Sequence, residues 1–148
     1  MIFLVLASLF TGIVLFLSTV LRSTFDSLTE LKYHEVYSLI IVKGRKSVLI
    51  NAIVLIPLFL FIIYFILGFF DPVFVIGGAF YITGSFGASR IINEPIYNRL
   101  LDISGSRATE LSKLRSRLNM GNAIRAIISI AGIALIAASL IEPFDFLT

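Results

Sequence analysis

Long uncharged apolar runs alternate with polar stretches along this chain. The first run, residues 2–20, contains no ionisable side chain; at about 1.5 Å rise per residue a helix of that length reaches roughly 28 Å, enough to cross a bilayer once. A second uncharged run, residues 48–70, is followed by Asp71-Pro72, where the proline disfavours continuation of the helix and predicts a turn. A third uncharged run, Gly-rich, covers residues 73–89 and ends at Arg90, within a span of about 73–92, and a fourth, residues 126–141 within a span of about 120–141, stops at Glu142-Pro143. The pattern predicts an all-α fold: a four-transmembrane-helix bundle forming a single integral membrane domain over residues 1–148.

The basic residues refine this picture. All twelve Lys and Arg fall within residues 22–46 and 90–125, between spans one and two and between spans three and four. Lys and Arg are retained on the cytoplasmic side, which predicts a multi-pass protein of the plasma membrane with both long connections in the cytoplasm. Both termini and the Asp71-Pro72 turn are then expected outside. Met1-Ile2-Phe3 supplies no positive leading segment, so the first run reads as an uncleaved anchor.

Composition adds exclusions. With 58% hydrophobic and 14% charged residues, the chain is too apolar for an ordinary soluble domain of this size. The net charge of +3 sits beside spans, which points to anionic lipid headgroups and away from nucleic acid. Absence of cysteine removes disulfides, thiolate nucleophiles and iron–sulfur clusters.

Between the first two spans, Phe25, Leu28, Val36, Leu39 and Ile40 fall within roughly a 120° arc at helical spacing, which predicts an amphipathic helix on the inner membrane surface. Gly44 is expected to end it. His34, the chain's one histidine, lies on the opposite face, with Glu30 and Ser38 one turn away. A lone histidine without a ligand cluster predicts a solvated or interfacial side chain and no metal site; a haem would need ligands from elsewhere.

The second long connection, predicted helical, opens with Asn93, Pro95 and Asn98, flanked by Arg90 and Arg99. Amides next to hydrocarbon need partners. Pro95 is expected to push Glu94 out of helical geometry and start a new helix. Further on, Arg115, Asn119, Asn122 and Ala126 share one helical face, with Arg125 one turn beyond Asn122. The two amide-and-arginine clusters lie at one membrane depth and can meet. They then either line a polar pocket or satisfy one another to hold the bundle.

Within the third span Ala79, Thr83 and Gly87 repeat at four-residue spacing, and Gly84 pairs with Ala88, which predicts close packing against the fourth span at Gly132, Ala134, Ala137 and Ala138. No charged residue lies near the middle of any span, which argues against ion-coupled transport or a charge-lined channel. Mid-span polarity is limited to Asn51, Tyr64, Tyr81, Thr83 and Ser85. Fourteen Phe and five Tyr can pack the core or surround a flat apolar ligand such as a quinone.

The segment Asn93-Glu94-Pro95-Ile96-Tyr97-Asn98-Arg99-Leu100 resembles the Asn- and Pro-containing stretch after the third span of the anthrone oxygenase-like family of small four-helix membrane proteins. Asn122 and Arg125 opening the fourth span are a second similarity. The family often carries a tryptophan a few residues before the Asn, and this chain has none. The resemblance implies that a relative's chemistry, oxidation of anthrones by dioxygen, is open to this chain, with His34 as base and Arg90, Arg125, Asn93, Asn98 and Asn122 stabilising the resulting anion. The competing expectations are an accessory subunit of a larger membrane complex or a self-assembling homo-oligomer, and a quinone- or lipid-binding bundle without catalysis. No cofactor is required by any of these motifs.

Overall fold

A computed structural model describes residues 1–104 and 107–141. All regular structure in them is helical: α1 (Ile2–Ser18), α2 (Val20–Asp26), α3 (Glu30–Lys46), α4 (Val48–Ile66), α5 (Pro72–Ile82), α6 (Glu94–Asp102) and α7 (Ala108–Ile141), with two π-helical turns, Thr83–Gly87 and Ser89–Asn93, joining α5 to α6. Four continuous rods are long and apolar enough to cross a membrane: Ile2–Asp26, Val48–Ile66, Pro72–Asp102 and Ala108–Ile141. The Glu142-Pro143 stop lies outside the described residues.

Local chemistry sets the helix ends. Thr29 caps α3 by accepting from Lys32 N–H, and Ser47 caps α4 by accepting from Ile50 N–H. Asp71 takes both Val73 and Phe74 N–H groups on one oxygen, with Pro72 in the first turn of α5, which satisfies donors that a helix start leaves free. The second span ends at Ile66, short of the expected Phe70, because Gly68 adopts a φ of 75° that reverses the chain.

Two expectations about breaks are corrected. Gly44 stays helical within α3; the break falls at Ser47, in extended conformation. Nor does Pro95 interrupt the third span, since Glu94 keeps helical angles (φ −61°, ψ −42°). Proline cannot donate and crowds the carbonyl four residues back. The preceding π turn, closed by Glu94 N–H on Ser89 carbonyl, widens the ladder where that crowding would fall.

The rods form a four-membered ring in which α7 packs against α1 and α5, α1 also meets α4, and Phe61 of α4 reaches Gly78 of α5. Side chains are nearly absent where α5 meets α7. A Cβ on Gly132 would lie 2.5 Å from Tyr81 N and 2.6 Å from Gly77 O, and one on Gly84 would lie 2.8 Å from Ser129 N. The contact stripe therefore runs through Gly77, Tyr81, Gly84 and Ala88 of the third rod. Of the other small residues expected there, Ala79 and Thr83 are exposed and Gly87 has open space to 3.9 Å. The actual face is offset by two residues and carries the π turns.

Two apolar cores stack along the bundle. One lies within the spans, around Phe3, Phe10, Val14, Tyr81 and Ile136, with Phe3 edge-on to Tyr81 at 5.5 Å and Tyr64 on Phe74 at 4.4 Å. The other joins α2, α3, α6 and the start of α7 through Phe25, Tyr33, Tyr37, Leu100, Leu111 and Leu118. Here α3 packs on the core through a face distinct from the apolar arc expected to meet the membrane. Tyr33, Tyr37 and Ile41 are buried, whereas Val36, Leu39 and Ile40 are exposed. The cap at Thr29 restarts the helix, so Phe25, in α2, and Leu28, in the bend after it, carry no phase into α3.

Gly132→Ala is expected to destabilise the bundle by about 1–3 kcal/mol through overpacking, seen as an earlier thermal transition in detergent. Gly87→Ala should leave stability unchanged or raise it by up to about 1 kcal/mol through helix propensity.

Candidate functional site

Between the two cores lies a buried polar layer built from the π-turn region and the middle of α7. Asn93, fully buried, donates from Nδ2 to Asn122 Oδ1 at 2.8 Å and to the Tyr97 hydroxyl at 3.3 Å. Arg125, 5% exposed, donates from Nη1 to the same Asn122 oxygen at 3.4 Å and from Nη2 to the Ser85 carbonyl at 3.5 Å. Its guanidinium lies 5.5 Å from the Phe10 ring centroid. Because Asn122 Oδ1 accepts from two donors, its amide orientation is determined by the network. Glycine makes the approach possible, since a Cβ on Gly121 would overlap Asn93 Oδ1.

Among the described residues Arg125 has no carboxylate partner. A buried guanidinium is ordinarily paired or faces a polar cavity. Here only neutral oxygens reach it, and its Nε has no hydrogen-bond partner, as is true of Asn93 Oδ1, Ser129 Oγ, Tyr81 Oη and Thr11 Oγ1. Two consecutive π turns border this layer, and such turns are frequent at functional sites.

No family model, curated protein or solved structure matches this chain. The geometry therefore carries the functional argument alone.

Of the residues singled out in the sequence, Asn93, Asn122 and Arg125 come together and the remainder do not. Asn98 is exposed and, with Glu94, accepts from Arg45 Nη2, joining α3 to α6 at the surface. Arg99 pairs with Glu110, which also meets Arg107. Asn119 donates to Asp26 at 3.4 Å, and Arg90 stacks on Phe86 at 5.4 Å. Asn51 lies at the start of α4, donating to the Arg45 carbonyl, and not at mid-span.

His34 is not a solvated side chain. Its Nε2–H donates to the Leu100 carbonyl at 2.9 Å, in the last turn of α6, where carbonyls lack helical partners. The histidine is a cross-helix C-terminal cap, and only Nδ1 is left to act as a base.

The participants not assigned to this layer from the sequence are Tyr97, Ser85 and Ser129, and Arg115, expected on the Asn122 face, is instead buried at a separate site. Arg115 lies flat on Tyr33, 4.2 Å from its ring centroid, and reaches Glu30 at 3.0 Å and the Leu28 carbonyl at 3.3 Å. The i, i+4 spacing of Tyr33 and Tyr37, and of Arg125 and Ser129, was the available signal.

Burial raises the hydroxyls of Tyr33 and Tyr37, both outside the long apolar rods, well above the ordinary phenol range. The folded state then keeps protons that the unfolded chain releases above about pH 10, so stability is full below that pH and falls as pH rises beyond it. An alkaline titration of phenolate absorbance should find these two tyrosines protonated until the protein unfolds; ionisation of all five tyrosines at an ordinary pKa in folded protein would contradict their burial. Asn98→Ala should change stability by less than about 0.5 kcal/mol, whereas Asn122→Ala, which strands buried donors, should cost about 1–3 kcal/mol, both measured by thermal or denaturant melting.

Proposed function

We propose that this chain is a non-catalytic four-span bundle of the plasma membrane that serves as an accessory or structural subunit, either within a larger membrane complex or by assembling with itself. The observation that carries this reading is the engagement of its polar residues with one another. Asn93, Asn122 and Arg125 tie the third rod to the fourth, His34 caps α6, and Arg45, Arg99 and Arg115 each bridge separate helices. The outward surface offers apolar side chains such as Phe16, Phe59, Ile91 and Ile127 to lipid or to a partner. In this reading α3 lies at the inner membrane surface, with Leu39 and Ile40 outward against lipid, and the basic connections are cytoplasmic.

A second reading is favoured by one observation. The unpaired Nε–H of Arg125 suits a carbonyl oxygen, and the free Asn93 Oδ1 a hydroxyl, of a flat hydrophobic ligand such as a hydroxylated quinone or anthrone, as the anthrone oxygenase-like resemblance implies. His34 Nε2 is engaged by the Leu100 carbonyl, so a basic role for His34 in such chemistry would fall to Nδ1.

Mass measurement on particles extracted gently from the source membrane separates these. Co-purifying subunits or a defined homo-oligomer support the structural role. A monomer that retains a quinone-like molecule, and loses it in Arg125→Gln, overturns it in favour of the second reading. Topology is testable because the chain has no cysteine: Leu67→Cys should react with an impermeant maleimide in intact cells, and Lys113→Cys only after permeabilisation.

A further inference from the structure

A second polar feature lies apart from the interior network. A groove of about 620 Å³ runs between α2 and α7, walled by Arg22 and Asp26 on one side and by Ser112, Arg115, Ser116 and Asn119 on the other, with Met120 and Ala123 at its end. Arg115 is its built element. Only 8% exposed, it is fixed by the Tyr33 ring, Glu30 and the Leu28 carbonyl, yet its Nε is buried without a partner. Ser112 and Ser116, one turn apart, are exposed and add two hydroxyls to the same wall.

The face of α7 that carries these groups changes character along its length. Ser112, Ser116, Asn119, Met120, Ala123, Ile127 and Ile130 lie within roughly a 100° arc at helical spacing. Below Met120 the arc is polar. From Met120 onward it is apolar and open, with Met120 59%, Ile127 68% and Ile130 43% exposed. A ligand that fits the whole face needs a polar head and a hydrocarbon tail pointing into the membrane.

Charge narrows the head. Two guanidiniums, Arg22 and Arg115, are balanced by two carboxylates, Asp26 at 3.7 Å from Arg22 and Glu30 at 3.0 Å from Arg115. A purely anionic group would meet the Asp26 carboxylate in the groove wall, whereas a phosphodiester next to an ammonium matches both signs. We infer that this groove is a binding site for a glycerophospholipid whose headgroup carries a phosphodiester and a primary ammonium, of the phosphatidylethanolamine type. The phosphodiester accepts from the serine hydroxyls, from Arg22 and from the Arg115 guanidinium that lines the groove; the ammonium donates to Asp26, whose oxygens keep further acceptor capacity beyond Arg22 and Asn119. A quaternary choline headgroup has no N–H to donate there. The site rests on the membrane placement of the rods proposed above and not on the accessory role.

The test is native mass spectrometry of the delipidated full chain titrated separately with phosphatidylethanolamine, phosphatidylcholine, phosphatidylglycerol and soluble glycerophosphoethanolamine. Phosphatidylethanolamine should be retained about tenfold better than phosphatidylcholine, a difference of one charge-assisted contact. Asp26→Asn, which removes the ammonium's charged acceptor, should abolish that advantage, and Ser116→Leu, at an exposed position, should lower retention of both zwitterionic lipids through their shared phosphodiester while the melting temperature stays unchanged. Equal retention of the two zwitterionic lipids, preference for phosphatidylglycerol, binding of the soluble headgroup as strongly as the lipid, or an unaffected Ser116→Leu variant would each overturn the site. The oligomeric mass in the same spectra reports on the accessory role independently, so failure of one reading is distinguishable from failure of the other.

Discussion

A guanidinium buried inside a helical bundle without a carboxylate is the constraint from which much of this architecture follows. Arg125 must be held by neutral oxygens, and those come from Asn122 on its own helix and from the Ser85 carbonyl on the third rod. To bring that carbonyl and Asn93 close, the third and fourth rods meet at glycines, and Gly84, Gly121 and Gly132 each occupy a place where a Cβ would collide. The π turns shift the phase of the third rod where Ser85 and Asn93 are presented. Packing, backbone irregularity and electrostatics therefore coincide in one layer, which is how buried polar networks specify a unique arrangement when their members are mutually engaged.

Helices that continue beyond the apolar spans give this layer a floor. The lower ends of the first, third and fourth rods, with α3, enclose a second core centred on Tyr33, Tyr37, Leu100 and Leu118. Surface ion pairs link its helices but are exposed and contribute little each. Aromatic and leucine burial, at about 1.5–3 kcal/mol for each fully buried large side chain, is the larger contribution. His34 and Thr29 belong to this level as well, since each satisfies a helix end that would otherwise be left open beside apolar neighbours.

The spans were legible because an uncharged run long enough to cross a bilayer has few alternative uses, and the meeting of Asn93 with Asn122 and Arg125 was legible because amides at equal depth must find partners. What the sequence concealed is of another kind. The phase of α3 depends on where Thr29 restarts the helix, a matter of one cap. Pro95 reads as a helix break in any local rule, and only a π turn elsewhere in the same rod removes the conflict. Asn98 looked like a member of the polar cluster by position, and His34 was joined to it only by the family resemblance, yet their partners, Arg45 and the Leu100 carbonyl, are 53 and 66 residues away. Such long-range pairings leave no periodic trace.

A bundle whose polar groups bind each other is suited to support and assembly, and the free Nε of Arg125 is where a ligand-binding role would begin. Both readings depend on the interior network being energetically real. A double-mutant cycle between Asn93 and Asn122, each replaced by Ala singly and together and measured as unfolding free energy in bilayers or mild detergent, tests this most directly. The account predicts a favourable coupling of about 0.6–2 kcal/mol, the range for hydrogen bonds between membrane helices. Additive single effects with no coupling would mean that this contact does not hold the third and fourth rods together.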